Sequence, residues 1–176
     1  MNYYKIYTTP KNFSDIILKS DGEFLTGLYF KEYFNEKLEP NLLYSKNLKI
    51  FEDTIKWLDI YFKGENPNFT PKYKIENLTP FRSLVMDYLN KIPYGKTVFY
   101  SDIAWNIAKT KGLKKMSSQA VGGAVGFNPI CIIIPCHRVI GKNNNLTGYG
   151  GGIENKIELL KLEKSFTENL TLKKRK

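Results

Sequence analysis

The segment that most constrains this chain is Cys131-Ile132-Ile133-Ile134-Pro135-Cys136-His137-Arg138-Val139-Ile140-Gly141. Four apolar residues in a row belong in a core, and the proline after them interrupts any regular ladder. The spacing therefore predicts a buried strand that stops at Pro135 and turns. The turn would present Cys136, one of only two cysteines, beside His137, the only histidine. A free thiol with a pKa of about 8.5 is barely ionised at neutral pH, so a nucleophilic cysteine needs a base, a helix N-terminus or a nearby cation. His137 and Arg138 are the candidates. Neighbouring side chains point in different directions, so His137 is expected to work on Cys136 through a bridging water. On this segment alone two readings stay open: Cys136 as a nucleophile, or as a core residue that closes an isoleucine run. Cys131, Cys136 and His137 lack a fourth ligand and fit no common zinc spacing, so no metal is expected.

The formal net charge of +10 is unevenly placed. The first 80 residues carry 11 lysines against 11 acids, whereas the remaining 96 carry 16 basic residues against 6 acidic ones. An excess confined to the second half fits a nucleic-acid surface, because Lys and Arg displace counterions from phosphate; it also fits a solvated basic face with the basic tail Lys173 to Lys176. No run is long and apolar enough to span a bilayer, and the start lacks a signal-peptide pattern, so a cytoplasmic, reducing location without a membrane partner is expected.

Along the chain, residues 2–8 read as a strand, and residues 14–19 and 23–30 flank Asp21-Gly22, a hairpin signal. Asp53 to Phe62 reads as a helix on the spacing of Phe51, Ile55, Leu58 and Phe62, with Gly64 to end it. The periodicity then fails and prolines accumulate. The expected division is a scaffold domain over 1–64, a linker over 65–78 and a second domain over 79–176, flexible from 166 onward. In that second part Thr79-Pro80 opens a helix, Ser101 is expected to cap the next, and residues 117–126 form a third, so two short helices across a basic connection describe a helix-turn-helix. Gly122 and Gly123 each cost this last helix about 1 kcal/mol relative to Ala. They allow a close approach either of a neighbouring helix or of a phosphate backbone. After a glycine-rich loop over 141–152, read as a pocket wall, residues 153–164 form an amphipathic helix. Its Glu163 is either an exposed partner of nearby lysines or the third member of a Cys136, His137, Glu163 relay. The fold class is α+β: a small sheet-plus-helix domain followed by a mainly helical, winged helix-turn-helix-like one.

These pieces together resemble the methylated-DNA-protein-cysteine methyltransferases, or O6-alkylguanine-DNA alkyltransferases. The resemblance rests on Ile134-Pro135-Cys136-His137-Arg138-Val139, on Ala120-Val121-Gly122-Gly123-Ala124 and Asn128-Pro129 before it, and on Gly148-Tyr149-Gly150-Gly151-Gly152 after it. It covers about residues 79 to 164. What it implies is an irreversible, single-turnover transfer of an alkyl group from O6 of guanine, or O4 of thymine, to Cys136, with no cofactor. His137 would be the water-linked base, Glu163 its orienter, and Asn128 the tie between recognition helix and active-site turn. Tyr100 would press on the phosphate 3′ to the target and donate toward the leaving base. Gln119, Ala120, Gly122, Gly123 and Arg138 would contact DNA, and Tyr149 and Gly150 would line the base pocket. The implied partner is double-stranded DNA carrying O6-alkylguanine, bound through its minor groove by a monomer, with the damaged base flipped out. One position departs from the family: Gln119 stands where an arginine usually fills the gap left by the flipped base, which implies weaker binding or slower flipping. The alternative is an alkyltransferase-like protein that binds lesions without reacting.

Overall fold

The computed structural model describes residues 1–35, 43–44, 47–146 and 148–172, in two compact units. The first comprises Met1–Asn77 together with Pro129–Ile133. Its strands β1 (Tyr3–Tyr7), β2 (Ile16–Ser20), β3 (Leu25–Phe30) and β4 (Leu43–Tyr44) form one sheet in the order β3-β2-β1-β4. β1 pairs antiparallel with β2 (Tyr4 opposite Lys19), β2 antiparallel with β3, and β4 runs parallel to β1. The β2–β3 turn forms where Asp21-Gly22 predicts it. Gly22 takes φ 111°, open to glycine without strain, and the Asp21 carboxylate accepts from the backbone N–H groups of Glu23 and Phe24.

Helix α1 spans Lys49–Tyr61, four residues earlier than the expected start at Asp53, because its N-cap Leu48 offers no side-chain acceptor for sequence to reveal. Its buried face includes Phe51 and Leu58 of the expected stripe together with Ile50, Thr54, Trp57 and Tyr61, whereas Ile55 and Phe62 are only partly buried. Thr54 turns inward by donating to the Ile50 carbonyl at 2.7 Å.

Two expectations for this unit need correction. Part of the segment expected as linker, 65–78, is pinned to β3: Leu25 N–H donates to Lys72 O and Lys74 N–H to Leu25 O, both at 2.9 Å. The expected strand over Cys131–Ile134 is a turn. Ile130 makes one bridge to Leu28, after which Ile132 adopts φ 69° and Ile133 N–H returns to Cys131 O at 2.8 Å. A β-branched residue in the left-handed region is disfavoured, so local propensity points to strand. Burial of Ile130, Cys131, Ile132 and Ile133 overrides it. Both segments lie along the free edge of β3 and satisfy its outward backbone groups.

The second unit comprises Leu78–Asn128 and the chain from Ile134 onward. In α2 (Pro80–Leu89), Thr79 Oγ1 accepts from Arg82 N–H and Pro80 occupies the first turn, as its sequence predicts. Strands β5 (Val98–Phe99) and β6 (Val139–Ile140) pair parallel. Helix α3 (Tyr100–Thr110) starts one residue before Ser101. Its N-cap is Phe99, whose N–H donates to the Asp102 carboxylate one turn on at 3.1 Å, so Ser101 sits inside the first turn and does not cap. Helix α4 (Ser118–Gly126) packs on α2 and α3 through Val121, Ala124 and Val125, capped by Ser117. Helix α5 (Ile153–Leu162) closes the unit over a cluster of Ile140, Leu146 and Leu160. Phe166 and Leu170 join that cluster, and Leu146 N–H donates to Thr171 O at 2.8 Å. The tail expected to be flexible from 166 is therefore bound through Thr171; residues 173–176 lie outside the described ones.

Candidate active site

Cys136, His137 and Arg138 form a single 3-10 turn, all three buried. Three residues per turn send successive side chains about 120° apart, so the three groups diverge as neighbouring side chains must. Cys136 lines a cavity of about 1070 Å³, while His137 and Arg138 turn toward Glu163.

Asn128, just past the end of α4, fixes the turn. Its Nδ2 donates to the Ile134 carbonyl at 2.9 Å and to Cys136 Sγ at 3.0 Å, joining the helix-turn-helix to the thiol by two bonds from one amide.

Glu163 caps the C-terminus of α5 and is nearly inaccessible, with 3% of its surface exposed. Its Oε1 accepts from His137 Nε2 at 2.7 Å and from Arg138 Nη2 at 2.9 Å. Its Oε2 accepts from Arg138 Nε at 2.8 Å and from the Gly95 N–H at 3.1 Å. Arg138 Nη1 donates to Ile92 O at 2.7 Å. Burial alone would raise the Glu163 carboxyl, but the hydrogen bonds of His137 and Arg138 and the charge of Arg138 outweigh it and hold the carboxyl well below its usual range. Burial pushes His137 the other way, below its ordinary 6.5, against the pull of Glu163. Arg138 already balances the carboxylate, so the imidazole stays neutral. A carboxylate only accepts, so Nε2 carries the ring proton and Nδ1 is left as the basic nitrogen.

The cavity gathers most of the residues singled out from sequence: Tyr100, Gln119, Gly122, Gly123, Cys136, Tyr149 and Gly150 all line it. The Tyr149 ring stands edge-on to His137, with centroids 6.4 Å apart. Tyr100, first residue of α3, lies over Gly122, where an added Cβ would sit 3.9 Å from its ring. A Cβ at Gly123 would meet nothing within 4 Å, so helix packing does not explain that glycine. Gln119, Ala120 and Gly123 are exposed on the outward face of α4.

Arg138 is a correction. Expected at the DNA surface, it is buried, with three bonds from its guanidinium to Glu163 and the Ile92 carbonyl. Ala120 is exposed beside the cavity without lining it. Sequence reading missed Gly95 and Lys156. Gly95 takes φ 71°, and a Cβ there would come within 2.9 Å of the Glu163 carbonyl. Lys156, wholly buried, donates from Nζ to Val139 O at 2.7 Å. Its position three residues after Ile153 and three before Leu159 places it on the apolar face of α5 and was the available signal. Among the described residues no cluster of three or more His, Cys, Asp or Glu side chains could hold a metal.

Comparison with known proteins identifies the family. Residues 80–165 match the model of the 6-O-methylguanine DNA methyltransferase DNA-binding domain. The methylated-DNA-protein-cysteine methyltransferase of Methanosarcina acetivorans is 41% identical over 93% of this chain and 99% of its own length. That of Haemophilus influenzae is 38% identical over 92% and 86%. The crystal structure of the Mycobacterium tuberculosis O6-methylguanine methyltransferase superposes with a TM-score of 0.79 at 38% identity, covering 94% of both chains. A structure of Mycobacterium tuberculosis OGT in complex with DNA gives 0.76 at 36% identity over 93% of both. With similarity running through both units and the cysteine turn and glycine-bearing helix in one cavity, the chain belongs to the methylated-DNA-protein-cysteine methyltransferase family.

Proposed function

We propose that this protein repairs DNA by direct reversal, taking an alkyl group from O6 of guanine, or O4 of thymine, onto Cys136 in one irreversible turnover. The observation that carries the reading is the Cys136 sulfur, fixed by Asn128 at the wall of a cavity whose other side is the outward, glycine-bearing face of α4. A base stacked in a duplex cannot meet a thiol that is only 6% exposed, so the target nucleotide leaves the stack, at a cost of a few kcal/mol. Tyr149 and Gly150 line the space it enters, and Tyr100, Gln119, Ala120, Gly122 and Gly123 meet the minor groove and backbone.

Glu163 fixes the His137 tautomer, so that Nδ1 takes the thiol proton through a bridging water. The thiolate attacks the alkyl carbon, an S–C bond forms, the C–O bond breaks, and its electron pair leaves with the guanine. Tyr100 donates toward the leaving base. The thioether has no group here able to cleave it, so one molecule acts once. It acts as a monomer on double-stranded DNA in the cytoplasm, where a reducing environment keeps the thiol available. The lesion-binding alternative is not favoured, since the relatives sharing most of the chain are named as transferases.

The reading is tested with a duplex radiolabelled in the methyl group of one O6-methylguanine. Label should move to the protein and not to the Cys136→Ser variant; transfer that survives the substitution would overturn the assignment of the acceptor.

A further inference from the structure

Helix α5 places a lysine where its register calls for an apolar side chain. Lys156 shares the buried face with Asn155, Leu159 and Leu160 and is 0% exposed. Lysines on such faces usually extend their ammonium to water, and one that stays inside needs compensation. Its Nζ donates at 2.7 Å to the carbonyl of Val139, the residue that ends the 3-10 turn begun at Cys136.

A charge that compensates it lies in the same turn, on Cys136 when the thiol is ionised. Burial pushes the Lys156 ammonium down to about 8, and the negative charge of an ionised Cys136 opposes that fall. Coupling between two titrating groups is reciprocal: whatever the thiolate does to keep the proton on Lys156, Lys156 does to remove the proton from Cys136. The other charged groups facing this pair are His137 and Arg138 from the turn and Glu163 from the end of α5. Arg138 and Glu163 are joined by two bonds and cancel, and His137 is neutral, its imidazolium further disfavoured by Lys156.

We propose that Lys156 is a positioning residue for the alkyl transfer, a buried ammonium held on the Val139 carbonyl that serves as counter-charge to the Cys136 thiolate. The inference rests on Cys136 being the alkyl acceptor. It divides the work at sulfur three ways: Asn128 orients it, His137 receives its proton, and Lys156 offsets the charge left behind. Transfer converts the thiolate to a neutral thioether, with the electron pair of the broken C–O bond leaving on guanine, so the counter-charge of Lys156 disappears in the spent protein.

The test is the ultraviolet absorbance of the Cys136 thiolate against pH, with Cys136→Ser as the blank for Cys131. Lys156→Gln keeps a donor for Val139 and removes the charge; Lys156→Met removes both. The expected result for Lys156→Gln is a midpoint raised by about one pH unit or more, with methyl transfer at neutral pH slowed about tenfold and restored at alkaline pH. A purely structural lysine would slow transfer at every pH and leave the midpoint in place, which would overturn the proposal. Wild-type protein gives an independent reading should the variants fail to fold. The ε-carbon NMR titration of Lys156 should shift to lower pH once Cys136 is methylated with methyl iodide, and an unmoved titration would overturn the proposal. Neither the absorbance nor the NMR titration uses DNA: a shifted midpoint in a protein that accepts no alkyl group from DNA would sink the function above, and with it the role in transfer, and leave standing only the charge pairing of Lys156 with the Cys136 thiolate.

Discussion

His137 Nε2 donates to Glu163 Oε1 across 2.7 Å with both side chains shut off from solvent. That bond sets the tautomer of the imidazole next to Cys136, and the same carboxylate neutralises Arg138. Glu163→Gln removes the charge while keeping the shape. Breaking a buried pair from one side costs about 3–5 kcal/mol, and misdirecting a general base costs about 10²–10⁴ in rate. The expected outcome is a lower melting temperature together with a slower single-turnover transfer, read by thermal unfolding and rapid-quench labelling.

Asn128 supplies both bonds that tie Cys136 and Ile134 to the end of α4. Asn128→Ala removes one of two donors from the Ile134 carbonyl, which keeps the Cys136 N–H, at a cost of about 0.5–1.5 kcal/mol, and frees the thiol to turn. Chemical denaturation should show that loss, and the transfer rate should fall further than DNA affinity does.

Gly123 separates stability from binding. A Cβ there meets nothing within 4 Å in the free protein, so Gly123→Ala should stabilise α4 by up to about 1 kcal/mol. The same methyl stands on the face proposed for DNA and should weaken duplex binding. Denaturation and fluorescence anisotropy on one variant give the two signs.

Gln119 occupies the outward face of α4 at the cavity edge. Gln119→Arg adds a cation and a stacking surface, so affinity for duplex DNA should rise and the slope of log affinity against log salt should steepen by about one. Anisotropy at several salt concentrations checks both.

Acid should unfold the protein in two stages. The folded His137 is held below its ordinary 6.5, so under acid the unfolded chain binds a proton that the folded one refuses, and stability falls as pH drops below 6.5. Glu163 is also held low, so its contribution is complete above the ordinary carboxylate value of 4.5 and is lost as pH falls beneath it toward the folded value. One proton limits each slope to about 1.4 kcal/mol per pH unit. His137→Gln should flatten the first stage and leave the second, measured as denaturation midpoints against pH.

Local chemistry made part of the fold readable in sequence. Asp21-Gly22 and Thr79-Pro80 act within a few residues, and both form where their types predict. The start of α1 at Lys49 lacked such a signal, and Ile132 deceived because burial overrode the strand preference of an isoleucine run. The site was legible where motif spacing is short, in Cys136, His137 and the glycines of α4. Arg138 was misread because a basic residue in a basic half looks like a DNA contact until Glu163, 25 residues later, is folded against it. Lys156 and Gly95 escaped for the same reason: their partners, Val139 and Glu163, are distant in sequence.

The most direct test of the central claim is the intact mass of the protein after incubation with a duplex carrying one O6-methylguanine, followed by peptide mapping. The account predicts a mass increase of one methylene, located on Cys136 and saturating at one per protein. An unchanged mass despite lesion-selective binding, or the group found on another residue, would contradict it.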